Sequence, residues 1–211
     1  MSFNFADAPI PIRAEIQEAM RKEWAFLAAP GTWWSGEERV QIAAEARRAM
    51  AGEPHGEDLP GAAAGVVRAV AADSPLISAE WVEGLAATGV DMPAYAEIIG
   101  VVARLSAVDM FHIALGMPLE PLPSPQSGEP SRRPPPTDVV VGKSFVPMAV
   151  MVSIPQTVSL VPPESVAWQK LSDAMYMTLG EMGNPDFRQA LHRTQMELVA
   201  ARTSQINECF Y

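Results

Sequence analysis

A run of prolines in the second half of the chain limits the architecture more than any other feature of the sequence. Eight prolines lie within residues 118–136, in the stretch PLEPLPSPQSGEPSRRPPP, and its second half has no large apolar side chain. Proline has no amide hydrogen to donate and its ring fixes φ, so this stretch suits neither a helix interior nor a central strand. We predict an extended linker over 121–137 that does not fold onto a core and that divides the chain into parts 1–120 and 138–211.

Local start and stop signals predict helices throughout the first part. Capping residues, prolines at helix starts and glycines after helix ends bracket the apolar-periodic stretches. The clearest start is Ser35-Gly36-Glu37-Glu38, which has the spacing of a capping box. The helix that begins at Pro93 has apolar residues on more than one face, so we expect it to be buried at the centre of the fold. The predicted helices are Arg13 to Ala29, Ser35 to about Met50, Gly61 to Ala72, Ser78 to Thr88 and Pro93 onward through AYAEIIGVVARLSAVDMFHIALG.

The part after the linker also has a helical pattern. A helix is expected from Pro163 to Met182, because Gly183 follows as a stop signal. Asn184-Pro185 then predicts a capped helix start, with the helix running from Asp186 to about Ile206. The only β-branched run, DVVV at 138–141, is too short to build a sheet. The sequence therefore predicts an all-α fold.

Charge and cysteine content exclude several classes of protein. Fifteen lysines and arginines stand against 25 acidic residues, a net charge of −10, which argues against binding nucleic acid or an anionic membrane surface. A single cysteine, Cys209, excludes an intrachain disulfide framework and any metal site with two thiolates from this chain. Four prolines and a glutamine interrupt the apolar stretch 144–163, so no membrane span is expected. The first residues lack a signal-peptide pattern, which makes the cytoplasm the expected location.

The last fifteen residues, Glu197 to Tyr211, carry the most specific pattern in the chain. The stretch ELVAARTSQINECFY places a glutamate twelve residues before a cysteine, with an asparagine two residues before that cysteine. It resembles the motif of the AhpD-like alkylhydroperoxidases and carboxymuconolactone decarboxylases, in which a glutamate precedes an Asn-x-Cys-x-x-Cys-x-x-x-His run. The resemblance puts Glu197 on the proton-relay glutamate, Asn207 on the asparagine and Cys209 on the first redox cysteine.

The first part of the chain resembles another copy of the same family repeat. The segment GTWWSGEERVQIAAEARRAM resembles the motif helix, and residues 79–120 resemble the closing pair of helices. Val40 stands where the glutamate belongs and Gly52 where the first cysteine belongs, which implies a catalytically inactive copy. The resemblance thus implies one degenerate AhpD-like helical repeat over 1–120, the linker, and the N-terminal half of a second repeat over 138–211.

The resemblance implies a thiol-dependent hydroperoxide reductase, with Cys209 as nucleophile, Glu197 as proton relay, a dithiol as reductant and no cofactor. Peroxide reduction of this kind needs a thiolate and a second thiol that resolves the sulfenic acid. The second cysteine of the motif would be residue 212 and the histidine would follow, so we expect the coding sequence to continue beyond Tyr211. We expect little or no turnover of hydroperoxides by the chain as given.

Two other functions compete with this interpretation. The helices can form a non-catalytic module that oligomerises or holds an apolar ligand, or the chain can be a carboxymuconolactone decarboxylase-type lyase. The lyase is disfavoured because Glu197 and the Asn-x-Cys signature follow the peroxidase pattern. Geometry sets a condition on the peroxidase interpretation, because an unbroken helix separates Glu197 and Cys209 by about 18 Å. The two meet only if the helix breaks near Asn207, and asparagine can occupy the left-handed cap conformation that such a break needs.

A homo-oligomer is also expected, because half a repeat leaves an apolar face without its usual cover. The residues assigned to that face are Phe187, Leu191, Leu198 and Ile206.

Overall fold

Helices make up the regular secondary structure of the part of the chain that the computed structural model describes, namely Phe3 and residues 5–140, 145–149 and 157–207. Within these ranges no strand forms, and the β pairing consists of two isolated bridges. The predicted all-α class is confirmed. The α-helices are α1 (Ala14–Ala28), α2 (Gly36–Met50), α3 (Gly61–Ala72), α4 (Ala79–Glu83), α5 (Met92–Ala114), α6 (Pro162–Met175), α7 (Leu179–Met182) and α8 (Arg193–Ile206). Two short 3₁₀ helices, Ser74–Leu76 and Gly84–Thr88, flank α4.

The chain forms two compact units, Met1–Leu171 and Ser172–Tyr211, and the boundary falls inside α6. In the first unit α5 packs against α1, α2 and α3, and α2 also packs against α1 and α3. Thirteen of the 23 residues of α5 are buried, which confirms its predicted central position. Val158, Leu160 and Val161, which follow the linker in sequence, belong to the buried core of this same unit.

Local signals set the helix ends of the first unit as predicted. The Ser35 hydroxyl accepts the Glu38 amide while the Glu38 carboxylate accepts the Ser35 amide, so α2 begins with a complete capping box. Asp91 caps α5 in the same manner through the amide of Ala94. Gly89 ends the preceding 3₁₀ turn with φ of 85°, a conformation that favours glycine.

The proline-rich segment 118–136, named here the proline strap, contains neither helix nor strand, as predicted. It nevertheless docks on the first unit. Trp24 Nε1 donates to the Pro121 carbonyl at 2.9 Å, and the Gln126 amide donates to the Ala28 carbonyl at 2.9 Å. No residue of the strap is buried, so it adds nothing to the core. It binds the surface of the first unit, because its carbonyls and its non-proline amides can still form hydrogen bonds.

The helix predicted from Pro163 to Met182 is interrupted. α6 ends at Met175, and α7 begins four residues later with its own capping box between Thr178 and Glu181. A threonine with a glutamate three residues on gives the backbone an alternative to continued helix.

The final helix begins seven residues later than predicted, at Arg193 instead of Asp186. His192 and Gln195 form the capping box that starts it. The Asn184 side chain accepts the amide of Asp186 at 3.1 Å, so it stabilises a local turn and does not cap α8. Among the described residues, no helix is both long enough and apolar enough to cross a membrane.

Candidate functional site

Glu197, the predicted proton relay, lies on α8 with a partly exposed carboxylate. Its Oε1 is 3.5 Å from Nε of Arg193, one turn earlier. The hydroxyl of Tyr176 donates a hydrogen bond to this carboxylate, and burial together with that bond and the charge of Glu197 raises the pKa of Tyr176. The carboxylate of Glu197 is therefore about half exposed and lies beside one guanidinium and one phenol.

The second predicted catalytic residue, Cys209, lies outside the described residues. α8 ends at Ile206, and Asn207 follows as its C-cap with φ of −84° and ψ of 5°. Contact between Glu197 and Cys209 requires a helix break near Asn207, and α8 ends directly before that residue. Asn207 does not adopt the left-handed conformation that asparagine can occupy, and its amide continues the helical pattern by donating to the carbonyl of Thr203 at 3.0 Å.

The two segments that resemble the family motif begin in the same way. Each of α2 and α8 starts with a capping box, formed by Ser35 and Glu38 in one case and by His192 and Gln195 in the other. Val40 is the fifth residue of α2, and Glu197, the position aligned with it, is the fifth residue of α8. Gly52, aligned with Cys209, follows the end of α2 with φ of 70° and nothing within 4 Å of where a Cβ would stand.

The fold also builds a site that the sequence did not predict. Five charged side chains from α1, α2, α5 and α6 meet inside the first unit, and none of the residues is more than 4% exposed. We refer to them as the ion cluster. Its members are Glu23, Arg39, Glu97, Arg104 and Glu164.

Arg39 joins two of the carboxylates of the ion cluster. Its Nη1 lies 2.5 Å from Glu97 Oε1 and 2.7 Å from Glu164 Oε1. The other oxygen of Glu97 accepts the backbone amides of Thr32 and Trp33 at 3.1 and 2.7 Å. Arg39 also donates to the carbonyls at the end of α1, so the ion cluster ties α5 and α6 to the loop between α1 and α2.

Arg104 completes the ion cluster from the other side. Its Nε donates to Glu23 Oε2 at 2.5 Å, and its Nη1 lies 2.7 Å from Glu164 Oε2 and donates to the Gly100 carbonyl at 3.0 Å. Both guanidinium groups lie over the ring of Phe26, with Cζ 4.8 to 5.0 Å from its centroid. Glu164 therefore bridges the two arginines, and one aromatic ring supports both.

Two glycines provide the space that these carboxylates occupy. A Cβ on Gly31 would lie 1.7 Å from Glu97 Oε1, and a Cβ on Gly100 would lie 2.5 Å from Glu164 Oε2. Real side chains do not approach so closely, so both positions require glycine for as long as the ion cluster is assembled.

The protonation of the ion cluster follows from its three carboxyl groups and two guanidinium groups. Burial raises the pKa of Glu23 and of Glu97, and the arginines offset this only in part. Burial also acts to raise the pKa of Glu164, but the charges and hydrogen bonds of Arg104 and Arg39 outweigh it, so this pKa is held below its ordinary value. The two arginines thus favour the charged form of Glu164, while burial favours the protonated forms of Glu23 and Glu97.

One sequence signal points to the ion cluster in retrospect. Glu97 and Arg104 are separated by seven residues in the otherwise apolar helix α5, which places them on one face two turns apart. A charged pair on the buried face of a central helix requires partners from other elements. Their identity cannot be read from α5 alone, because Arg39 and Glu164 come from distant parts of the chain.

Comparison of the chain with protein-family models, with curated proteins and with solved structures finds no match. In the described ranges, no group of three or more histidine, cysteine, aspartate and glutamate side chains is arranged to hold a metal ion. The chemistry of this protein has to be inferred from its own residues.

Proposed function

We propose that this protein reduces hydroperoxides through Cys209, with Glu197 as the proton acceptor. The observation that carries the proposal is the end of α8 at Ile206, between the only cysteine of the chain and a partly exposed glutamate that is already hydrogen-bonded. Glu197 and Ile206 are nine positions apart, which corresponds to about 13.5 Å along the helix. Three further residues extend at most about 10 Å, so the two side chains can approach through a turn and a bridging water.

The matched starts of α2 and α8 support this proposal. The two helices share a capping box, and the glutamate position falls on the same residue of each. Both observations fit a repeated helix that starts in the same way in both copies and that has lost the glutamate and the cysteine in the copy that contains α2. The proposed active copy is then the one that contains α8.

The proposed reaction oxidises Cys209 once per hydroperoxide and consumes one external dithiol to regenerate it. Glu197 takes the proton of Cys209, and the thiolate sulfur attacks one oxygen of ROOH, which breaks the O–O bond. The sulfur is oxidised to a sulfenic acid, and the alkoxide takes up a proton and leaves as ROH. An external dithiol then condenses with the sulfenic acid, releasing water, and its second thiol displaces Cys209. A cytoplasmic location, where thiols are kept reduced, suits this cycle.

The test is the rate at which Cys209 is oxidised. The reduced protein is mixed with cumene hydroperoxide, trapped with dimedone and weighed by intact mass spectrometry. We expect one adduct per chain, formed on the order of 100-fold faster than on free cysteine. Glu197→Gln should slow it on the order of 10-fold or more and remove a step from its pH profile. Turnover with dithiols should be slow compared with the oxidation step, because the sulfenic acid has no neighbouring thiol of this chain to resolve it and must wait for collision with the external dithiol.

Glu37→Gln is the matched control, because Glu37 is an exposed glutamate near the start of α2. It should leave the oxidation rate unchanged. An oxidation rate equal to that of free cysteine, or hydroperoxide consumption that survives Cys209→Ser, would show that the proposal is wrong.

A second candidate function, self-association without catalysis, is favoured by the surface of α8. No described residue of this helix is buried, and Leu198, Val199 and Ile206 are each more than 60% exposed. Three large apolar side chains on one short helix favour contact with another apolar surface. Of the residues assigned to this face by sequence, Phe187 and Leu191 precede α8, so they do not share its helical periodicity.

A further inference from the structure

A groove of about 520 Å³ opens between α1 and α6 on the first unit. Its size falls in the range of small-molecule sites. Phe26 from α1 and Pro162, Val166 and Ala167 from α6 supply apolar surface along it. Val166 is 54% exposed, so this apolar surface has no cover from the described part of the chain.

The rim of this groove is basic, although the chain as a whole carries a net charge of −10. Lys22, Arg133 and Lys170 line it. Lys22 pairs with Glu18 at 3.2 Å. Arg133 and Lys170 make no ion pair in the described part of the chain, so two cations face the groove without a counter-charge.

The inner wall of the groove contains Glu23, the one ion-cluster residue that reaches it. This carboxyl group is 4% exposed, and its Oε2 is bound to Arg104. The guanidinium of Arg104 therefore offsets the negative charge of Glu23, and burial raises the pKa of this carboxyl group. The groove is therefore apolar along its length and positive at its edge.

We propose that the groove binds a single-chain aliphatic carboxylate of about ten carbons. The carboxylate pairs with Arg133 and Lys170 at the rim, and the alkyl chain lies on Phe26 and Val166. Charge complementarity selects the anion, because a neutral or cationic head group leaves the two cations without a partner. Apolar contact selects the chain, since each methylene removed from water favours binding. The inference is independent of Cys209 and of the proposed hydroperoxide chemistry.

The experiment is calorimetric titration of the full chain with decanoate below its micelle concentration. We expect one site per chain, and binding that tightens by about two- to fourfold per methylene from hexanoate to decanoate. Arg133→Gln combined with Lys170→Gln should weaken decanoate binding on the order of 5- to 10-fold, because each lost ion pair is a modest one at a surface. Val166→Gln should weaken decanoate more than hexanoate. Cys209→Ser should bind decanoate as the parent chain does.

Arg202→Gln is the charge control, because it removes one exposed cation from α8, which does not line the groove. It should leave decanoate binding unchanged. Circular dichroism spectra of every variant establish that the fold is retained. Decanol binding as tightly as decanoate, unchanged affinity in the double variant, or binding to anionic vesicles without binding of monomeric decanoate would each overturn the proposal.

Discussion

Gly100 is the residue whose replacement tests most directly how tightly the ion cluster is packed. A Cβ at this position would press on the carboxylate of Glu164, which is bound to both arginines. Gly100→Ala should therefore destabilise the protein by about 1 to 3 kcal/mol, as overpacking of a core does. The better helix propensity of alanine offsets only part of this cost. Urea denaturation followed by circular dichroism measures the difference.

Gly65→Ala provides the opposite expectation at a comparable backbone position. Gly65 is an exposed glycine inside α3, and nothing lies within 4 Å of where its Cβ would stand. The substitution should stabilise the protein by roughly 0.5 to 1 kcal/mol, because alanine forms helix more readily than glycine. If both alanine variants gain stability, Glu164 does not fill the space beside Gly100.

At the scale of elements, the proline strap supports the loop that binds the ion cluster. The amides of Ser131 and Arg132 donate to the carbonyls of Gly31 and Thr32 at 3.0 and 2.9 Å. The Thr32 amide in turn donates to Glu97. The strap therefore backs the same stretch of chain that provides hydrogen bonds to a buried carboxylate.

Ser131→Pro tests this support, because proline removes the amide that binds Gly31. We expect a loss of about 0.5 to 1.5 kcal/mol, the usual worth of one hydrogen bond, together with faster cleavage of the strap by trypsin after Arg132. Limited proteolysis followed by mass spectrometry reports the cleavage. Ser127→Pro serves as the comparison, since the Ser127 amide donates no hydrogen bond to the part of the chain that the structure describes. Equal cleavage rates in the two variants would mean that the Ser131 bond does not hold the strap.

A helix start could be predicted from sequence where the capping residues are close together and no second capping signal lies nearby. Ser35 and Glu38 are three residues apart, so the start of α2 can be read directly. The start of α8 was missed because Asn184-Pro185 is a common helix start, and the competing cap uses a histidine. Propensity did not separate the two, because histidine is not among the preferred capping residues.

The ion cluster could not be predicted because its contacts are not local. Arg39 and Glu164 are 125 residues apart, and a periodicity argument extends over a single helix only. The prolines also gave an incomplete prediction for the strap. They correctly excluded helix and strand, but an extended segment can still dock through backbone hydrogen bonds with irregular spacing along the sequence.

At the scale of the whole molecule, the exposed face of α8 predicts self-association. Leu198→Asp should shift the protein from oligomer to monomer, because each apolar side chain buried in an interface contributes about 1.5 to 3 kcal/mol. Light scattering at micromolar concentration measures the mass. Leu76→Asp is the matched control, since Leu76 is 76% exposed and lies outside α8. A monomeric parent chain, or equal dissociation by both variants, would contradict this use of α8.

The bridging position of Glu164 also has a consequence for the order of events during synthesis. Arg39 with Glu97 and Arg104 with Glu23 form two separate pairs, and every member of them precedes the strap in the chain. Glu164 leaves the ribosome about 3 to 12 seconds after Arg104 at ordinary rates of translation. Until Glu164 arrives, the guanidinium groups of Arg39 and Arg104 both lack the carboxylate that joins them. The nascent helices can gather early, but their interior becomes dry only when the segment beyond the strap has been made.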